Sequence, residues 1–578
     1  MNDEAAKPET RWTWAIYVAV AAFLVFGANY YTVFDDEALS CRLYAMPLGE
    51  MVGALGRGED PDPPLYYVLQ NLWVSVFGVG PFGLRSVSIV LFLAGLVVMR
   101  RAGAAWFDER AGNFTLLICA VHPAHLFLGF AGRWYSAMFL LVGMLLWATG
   151  RMIRAMQRST GPAGSESPTP TAPVVRVGWR SSALWGLVAA AVCYTNYFGP
   201  VIVGLTWLAM VFATRGRRDA LRLCVICGFV AVLAYAPWVP TFWHHVGSFP
   251  RFEGGWRSMA SSAGRLGLTL VTGNLAGLSA WWSWGPMGVG VLCVAAAMAK
   301  SWRRFAPLIF IVAGAIAAGV LSRTLLDKYA MTLSGAVCLL VAGVLGERRK
   351  RTGEDSSAAQ TAQPRLGRLA MLALVAGWFG CMVNLVTERH WSSLRWLDPF
   401  ENVTRELYEA NWSRSSPDAV CSHPAARYYF ALHRANDQNR NPIEKEMLPG
   451  WAPPRDGDAF EWADVIRTDA REWLAAWEEQ EAIGEGDAFF AKTPTAMVRI
   501  LEQGDRPLTL TTLETSGFMK LPDWAELRAV LIRRYAPAGE PHEYLEDPEA
   551  ALKDRIDPAF RHARWRITVT IWRRKGIE

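Results

Sequence analysis

Long apolar runs separated by short polar or basic stretches fill the first two thirds of the chain. They cover residues 14–34, 84–98, 114–130, 137–148, 183–197, 201–213, 221–237, 287–299, 305–321, 330–345 and 369–386. A helix crosses the hydrocarbon of a bilayer with about twenty apolar residues, so the shorter runs must borrow flanking positions. The pattern predicts a polytopic α-helical membrane protein with about eleven transmembrane helices. After about residue 390 the pattern changes. No spanning run recurs, "DAREWLAAWEEQ" has the spacing of a helix, and in "WRITVTIW" Trp565, Ile567, Val569 and Ile571 alternate with Arg566, Thr568 and Thr570 as in a strand. The chain therefore divides into a transmembrane domain, 1–389, and an α/β domain, 390–578, of ordinary size for one domain.

Charge sets the topology. With the amino terminus inside, the loops carrying Arg100 and Arg101, Arg151 and Arg154, Arg215 to Arg218, Arg303 and Arg304, and Arg348 to Arg351 all fall on the cytoplasmic side, as the positive-inside rule requires. An odd number of spans then puts the carboxyl-terminal domain outside the cytoplasm. The expected location is the plasma (inner) membrane, crossed many times. Composition agrees: of 578 residues 52% are hydrophobic and 27 are Trp, and mean hydropathy is +0.15. The net charge of +6 lies largely in these topogenic clusters, which removes the argument for a nucleic-acid partner.

Several features carry no chemistry. "STGPAGSESPTPTAP" and "TGEDSSAAQTAQP" have the composition of flexible linkers. The first apolar run is too long for the core of a signal peptide and lacks a clear cleavage site, so it is expected to stay as an anchor. Most of the nine cysteines lie in apolar runs; Cys224 and Cys227, two residues apart, read as packing residues rather than a redox pair. Cys41 and Cys421 both fall outside, where pairing is chemically open. His122, His125, His244 and His245 lack a carboxylate or cysteine at ligand spacing and read as interfacial anchors, so no metal ligand is assigned. The sequons at Asn113, Asn402 and Asn411 have little weight.

The first outer loop, residues 35–83, is longer than a connection needs, and such loops are usually functional. It opens on Asp35, Asp36 and Glu37 at the edge of the lipid. "SCRLYAMPLGEMVGALG" has the spacing of an interfacial amphipathic helix, and "DPDPPLYYVLQNLWVSVFG" starts a second, aromatic helix with helix-initiating prolines. Acids at the end of a span also stay there simply to be hydrated. The length of the loop favours a site, with Asp36, Glu37, Asp62 and Tyr66 at its mouth.

Asp36 and Glu37 just after the first span, Pro63-Pro64-Leu65-Tyr66-Tyr67, Gly83-Leu84-Arg85-Ser86-Val87-Ser88, and Arg133 with Tyr135 together resemble the GT-C glycosyltransferases, and more narrowly the protein mannosyltransferase and aminoarabinose transferase branch. The resemblance covers about the first 390 residues, with its motifs mostly in the first 200. Relatives often carry His or Lys where Asp62 stands, His where Asn196 precedes Tyr197, Phe198 and Gly199, and Arg-Tyr where Lys328 and Tyr329 stand. The resemblance implies an inverting transfer of a sugar from a polyprenyl-phosphate donor, itself a membrane lipid, to a glycan, lipid or protein acceptor on the outer face. The residue types suit that chemistry. Asp36 would take the acceptor proton, with Glu37 or Asp35 positioning it; Arg85, Arg133 and Lys328 would gather at the departing phosphate. Asp62, Tyr66, Tyr135 and Asn196 complete the expected substrate contacts. Arg85, Arg133 and Lys328 equally suit anchoring at the interface. Some GT-C enzymes use no metal; no cofactor is assigned and a divalent cation stays open.

Two other classes compete. A lipid or solute transporter or flippase would show internal repeats and charges on broken helices near the midplane, and this chain has no repeat and carries its charges at helix ends. A non-catalytic membrane assembly component would not need Asp36 and Glu37.

Overall fold

The computed structural model describes residues 8–30, 33, 35–58, 60, 62–158, 178–214, 217–248, 270, 284–322, 330–346, 374–379, 419–420, 482–485, 488–491, 509–515, 522–537, 542–545 and 566–575. The chain forms two compact units. One comprises Met1–Ala28, Gly53–Tyr66 and Arg85–His390; the other comprises Asn29–Val52, Tyr67–Leu84 and Trp391–Glu578.

Among the described residues four helical stretches are long and apolar enough to cross a membrane: Trp12–Asn29, Pro81–Trp106, Tyr135–Met156 and Arg218–His245. Shorter apolar helices cover Gly199–Ala213, Arg304–Gly319 and Met331–Gly346. This is a mostly helical, multi-pass arrangement. Its elements in chain order are α1 (Pro8–Tyr30), α2 (Asp35–Ala45), α3 (Leu48–Arg57), α4 (Pro64–Phe77), α5 (Pro81–Trp106), α6 (Glu109–Val121), α7 (Pro123–Leu128), α8 (Tyr135–Arg158), α9 (Trp179–Cys193), α10 (Gly199–Ala213), α11 (Arg218–Tyr235), a 3₁₀ turn at Ala236–Trp238, α12 (Val239–Ser248), α13 (Trp284–Ser322) and α14 (Ala330–Gly346).

Three of these differ from the sequence expectation. The run 114–130 is two helices, not one: His122 leaves the helical region at φ −66°, ψ 124°, because the ring of Pro123 excludes an α conformation at the residue before it. The proposed interfacial helix is likewise two, α2 and α3, divided before Leu48 at Met46 and Pro47 by the same effect. In contrast, α13 runs unbroken for 39 residues through Arg303 and Arg304, where a cytoplasmic loop was expected. No glycine or proline interrupts residues 291–306, and Pro307 is accommodated inside the helix.

The first unit packs through small residues. Asp108 caps α6, its Oδ1 accepting from the Ala111 amide at 2.8 Å, and α6 returns against α5 where Gly112 meets the Arg100 carbonyl. A Cβ at Gly112 would lie 2.7 Å from that oxygen and 3.1 Å from the Ala104 amide nitrogen. Gly343 and Gly346 of α14 make the matching approach to the Phe107 ring and to Ala111. Arg100 donates from Nε to the Oδ1 of Asn113 at 2.9 Å, so the Asn113 sequon lies within a helix and its amide is engaged. Gly112→Leu should therefore abolish the monodisperse folded protein in detergent, since both clashing atoms are backbone and overpacking alone costs about 1–3 kcal/mol. Gly56→Ala, with nothing within 4 Å of the new methyl group, should behave as wild type in the same size-exclusion assay.

In the second unit "RITVTIW" forms the expected strand, Trp565 lying outside the described residues. It belongs to a five-stranded sheet of β1 (Ala419–Val420), β4 (Thr509–Thr515), β5 (Tyr535–Pro537), β6 (His542–Leu545) and β7 (Arg566–Arg574); a separate hairpin pairs β2 (Ala482–Glu485) with β3 (Ala488–Ala491). Antiparallel β4 lines one edge of β7, with Leu513 opposite Val569. The other edge is shared by β5 and β6, with Ala536 opposite Arg573 and His542 opposite Val569. Helix α15 (Pro522–Arg534) starts on a proline and ends on Arg533 and Arg534, a favourable arrangement for both helix ends, and leads directly into β5. The segment "DAREWLAAWEEQ" and both predicted linkers lie outside the described residues.

Candidate active site

Asp35, Asp36 and Glu37 form the first turn of α2, where the unsatisfied amides and the helix dipole favour negative charge. Glu37 is buried, as is Cys41 one turn on. Burial, and then the Glu37 charge, push the Cys41 thiol well up from its ordinary value. At pH 9 an ordinary thiol is more than half ionised, whereas Cys41 should stay protonated, so maleimide labelling of the folded protein should be roughly ten-fold or more slower than after denaturation. The far end of α2 is held by α4. Asn71 donates from Nδ2 to the carbonyls of Tyr44 at 2.8 Å and Met46 at 2.7 Å, satisfying helix-end acceptors. The Tyr67 ring packs on Tyr44 at 5.2 Å, and its hydroxyl pairs with that of Ser40 at 3.2 Å.

The "DPDPP" turn builds a second, buried cluster in the other unit. Arg133 donates from Nη1 to Asp60 Oδ2 at 3.2 Å and from Nη2 to Asp62 Oδ2 at 2.7 Å; the side chains of Arg133 and Asp60 are 5% and 1% exposed and that of Asp62 11%. Asp62 Oδ2 also accepts from the Trp134 indole at 2.9 Å, and Oδ1 accepts from Asn196 Nδ2 at 3.4 Å. The Asp62 amide donates to Asp60 Oδ1 at 3.1 Å. Asn196 in turn accepts from the Phe198 amide at 2.8 Å, so a single carboxylate ties the turn before α4, the entry to α8 and the α9–α10 turn together. Beyond it, Tyr197 shares a 2.6 Å hydrogen bond with Nδ1 of His245 and accepts from the Trp238 indole at 3.1 Å. Burial pushes the Tyr197 phenol up to about 12; the Trp238 N–H works against this, while the charges of Asp62 and Asp60 reinforce it. Tyr197 is thus a neutral hydroxyl at working pH.

Asp62, Arg133 and Asn196 of the expected site are therefore together, and Tyr135 stands beside them with its ring 4.6 Å from that of Trp134. The guanidinium of Arg133, however, already bridges two carboxylates. Arg85 is wholly buried; its Nη1 donates to the Ala28 carbonyl at 3.1 Å, near the end of α1, and its guanidinium lies over the Phe130 ring at 5.6 Å. That is the work of a helix-end cap with cation–π support. The Tyr66 hydroxyl pairs with that of Ser88 at 2.9 Å, joining α4 to α5. Lys328 lies outside the described residues, as do the side chains of Asp35 and Asp36.

Asp60, His245 and Tyr197 were missed as cluster members. The paired acids of "DPDPP" were the available signal for Asp60; His245 is separated from Tyr197 by 48 positions, which no local pattern reveals. His122, His125 and His245 are not interfacial anchors: they are 1%, 0% and 1% exposed, each buried by packing that the apolar periodicity did not show. His244 is exposed.

No family model matches the sequence, and a search of curated proteins gives no significant match. Solved structures do match. Apo ArnT from Cupriavidus metallidurans aligns with 97% of this chain and 98% of its own at a TM-score of 0.51 and 13% identity. The same protein bound to undecaprenyl phosphate aligns over the same shares at 0.49 and 12% identity. The apo oligosaccharyltransferase of Archaeoglobus fulgidus aligns with 94% of this chain and 74% of its own at 0.46 and 12% identity. The chain thus shares the fold of ArnT along nearly its whole length.

Proposed function

We propose that the protein is a membrane glycosyltransferase that moves a sugar, with inversion, from a polyprenyl-phosphate donor to a glycan, lipid or protein acceptor on the outer face of the plasma membrane. The observation that supports this best is the fold, shared with ArnT over 97% of the chain, whose first helix after the first span opens on three acids. ArnT has been solved with undecaprenyl phosphate, the kind of lipid phosphate that such a donor leaves behind. Asp36 is the base that removes the acceptor proton as its oxygen attacks the anomeric carbon, and Glu37 holds that base or the acceptor. The departing phosphate needs a cation as charge develops on its oxygens. Arg133 is bridged by two carboxylates and Arg85 serves the α1 carboxyl end, so Lys328 takes that role. Asp60, Asp62, Arg133 and Asn196 form a fixed buried cluster within the first unit. The carboxyl-terminal α/β domain is placed outside the cytoplasm in this scheme.

Membranes from cells expressing the protein, supplied with a panel of polyprenyl-phosphate sugars and endogenous acceptors, test the proposal. One donor should be consumed with release of polyprenyl phosphate above control membranes. Consumption of none across acceptors of all three kinds would count against it.

A further inference from the structure

"CAVHPAH" joins the end of α6 to α7 and, against the expectation that no cysteine stands at ligand spacing from these histidines, puts Cys119, His122 and His125 three residues apart across the proline break, while α14 brings in Cys338 from 219 positions away. All four are buried, at 0%, 1%, 0% and 1% exposure. Ligand atoms of Cys119, His125 and Cys338 lie within 4.8 Å of one another, and the two thiols are in hydrogen-bonding reach. The His122 ring stands 4.5 Å from that of His125.

The tautomers follow from obligate acceptors. Nδ1 of His125 faces the Cys119 carbonyl at 2.9 Å and Nε2 of His122 faces the Leu270 carbonyl at 2.6 Å. A carbonyl only accepts, so each imidazole carries a proton on that nitrogen, and as a neutral ring it keeps a lone pair on the other. This is the state in which proteins hold metal-binding histidines, with the far N–H fixed by a backbone carbonyl. His125 Nε2 lies 2.7 Å from the Ser334 hydroxyl, which donates to the Met331 carbonyl at 3.0 Å. His122 Nδ1 is buried with no hydrogen-bond partner among the described residues.

We infer that Cys119, His125 and Cys338, with His122 as the fourth ligand, form a structural zinc site that staples α6 and α7 to α14. Zinc takes thiolate and imidazole ligands at about 2.3 and 2.0 Å in a closed tetrahedron, so the three clustered ligands need to draw in by about an ångström and His122, outside that cluster, has to come further. The dication displaces one proton from each cysteine, giving two thiolates and two neutral imidazoles around Zn²⁺. That site carries no net charge, which suits a buried position where an uncompensated ion is costly. Monovalent copper on the same ligands would leave a buried negative charge. The Ser334 hydroxyl turns to Met331 when zinc takes Nε2.

The test uses the full chain purified in detergent. Elemental analysis should find about one zinc per chain, and Cys338→Ala and His125→Gln should lower zinc occupancy roughly ten-fold or more at limiting zinc. Metal-free protein given Co²⁺ should show the thiolate charge-transfer and visible bands of a tetrahedral site, which keeps the inference testable on the wild-type chain if a variant does not fold. No zinc retained and no such bands after reloading would overturn it. So would copper in place of zinc, or an intact mass showing Cys119 and Cys338 joined as a disulfide.

Discussion

Arg133→Met should destabilise the protein by about 3–5 kcal/mol, because it leaves Asp60 and Asp62 charged and buried with their common cation gone. Neutral donors remain on Asp62 from Trp134 and Asn196, and they do not replace a charge. Arg133→Lys should recover only part of the loss, since an ammonium is a point charge and lacks the planar fork that serves two carboxylates at once. Adding Asp60→Asn and Asp62→Asn to Arg133→Met should recover most of it by removing the stranded charges. Thermal unfolding of the detergent-solubilised variants reads these differences. An Arg133→Met protein that unfolds with the wild type would mean that the bridge contributes nothing.

The largest functional effect is expected at Asp36. Asp36→Asn keeps the shape of the side chain but cannot accept a proton, and loss of a positioned general base typically costs on the order of 10²- to 10⁴-fold in rate. The loss should appear in turnover with little change in the KM for donor, because the proposed role of the acid is on the acceptor as it attacks. Glu37→Gln should cost less. Neither change should unfold the protein, since one charge at a helix amino terminus contributes at most about 2 kcal/mol even where it is partly buried. Full turnover in Asp36→Asn would move the base to Glu37 or Asp35.

Much of the helical framework was legible in the sequence because lipid imposes a composition as well as a period. The apolar runs 201–213 and 330–345 recur as α10 and α14 almost residue for residue, and the paired prolines before Leu65 open α4 as expected. The alternation in "WRITVTIW" marked β7 for a similar reason: a period of two places every second side chain on one face, which only an extended strand does. What escaped was decided by distant partners. Arg133 looks like a free cation until Asp60, 73 positions away, is seen to share it. Arg85 looks like a phosphate ligand until the Ala28 carbonyl, 57 positions away, takes its guanidinium. Cys338 has no local mark of its relation to Cys119. The break at His122 was different, since Pro123 announced it and the continuity of the apolar run concealed it.

The most direct test of lipid-linked sugar transfer is to reconstitute the purified protein in liposomes with a polyprenyl-phosphate donor labelled in its sugar, and to follow the label and the lipid together. A glycosyltransferase should release unglycosylated polyprenyl phosphate in step with label appearing on an acceptor, and Asp36→Asn should suppress both. Intact labelled donor crossing from one leaflet to the other with no release of polyprenyl phosphate would contradict that account and identify a flippase.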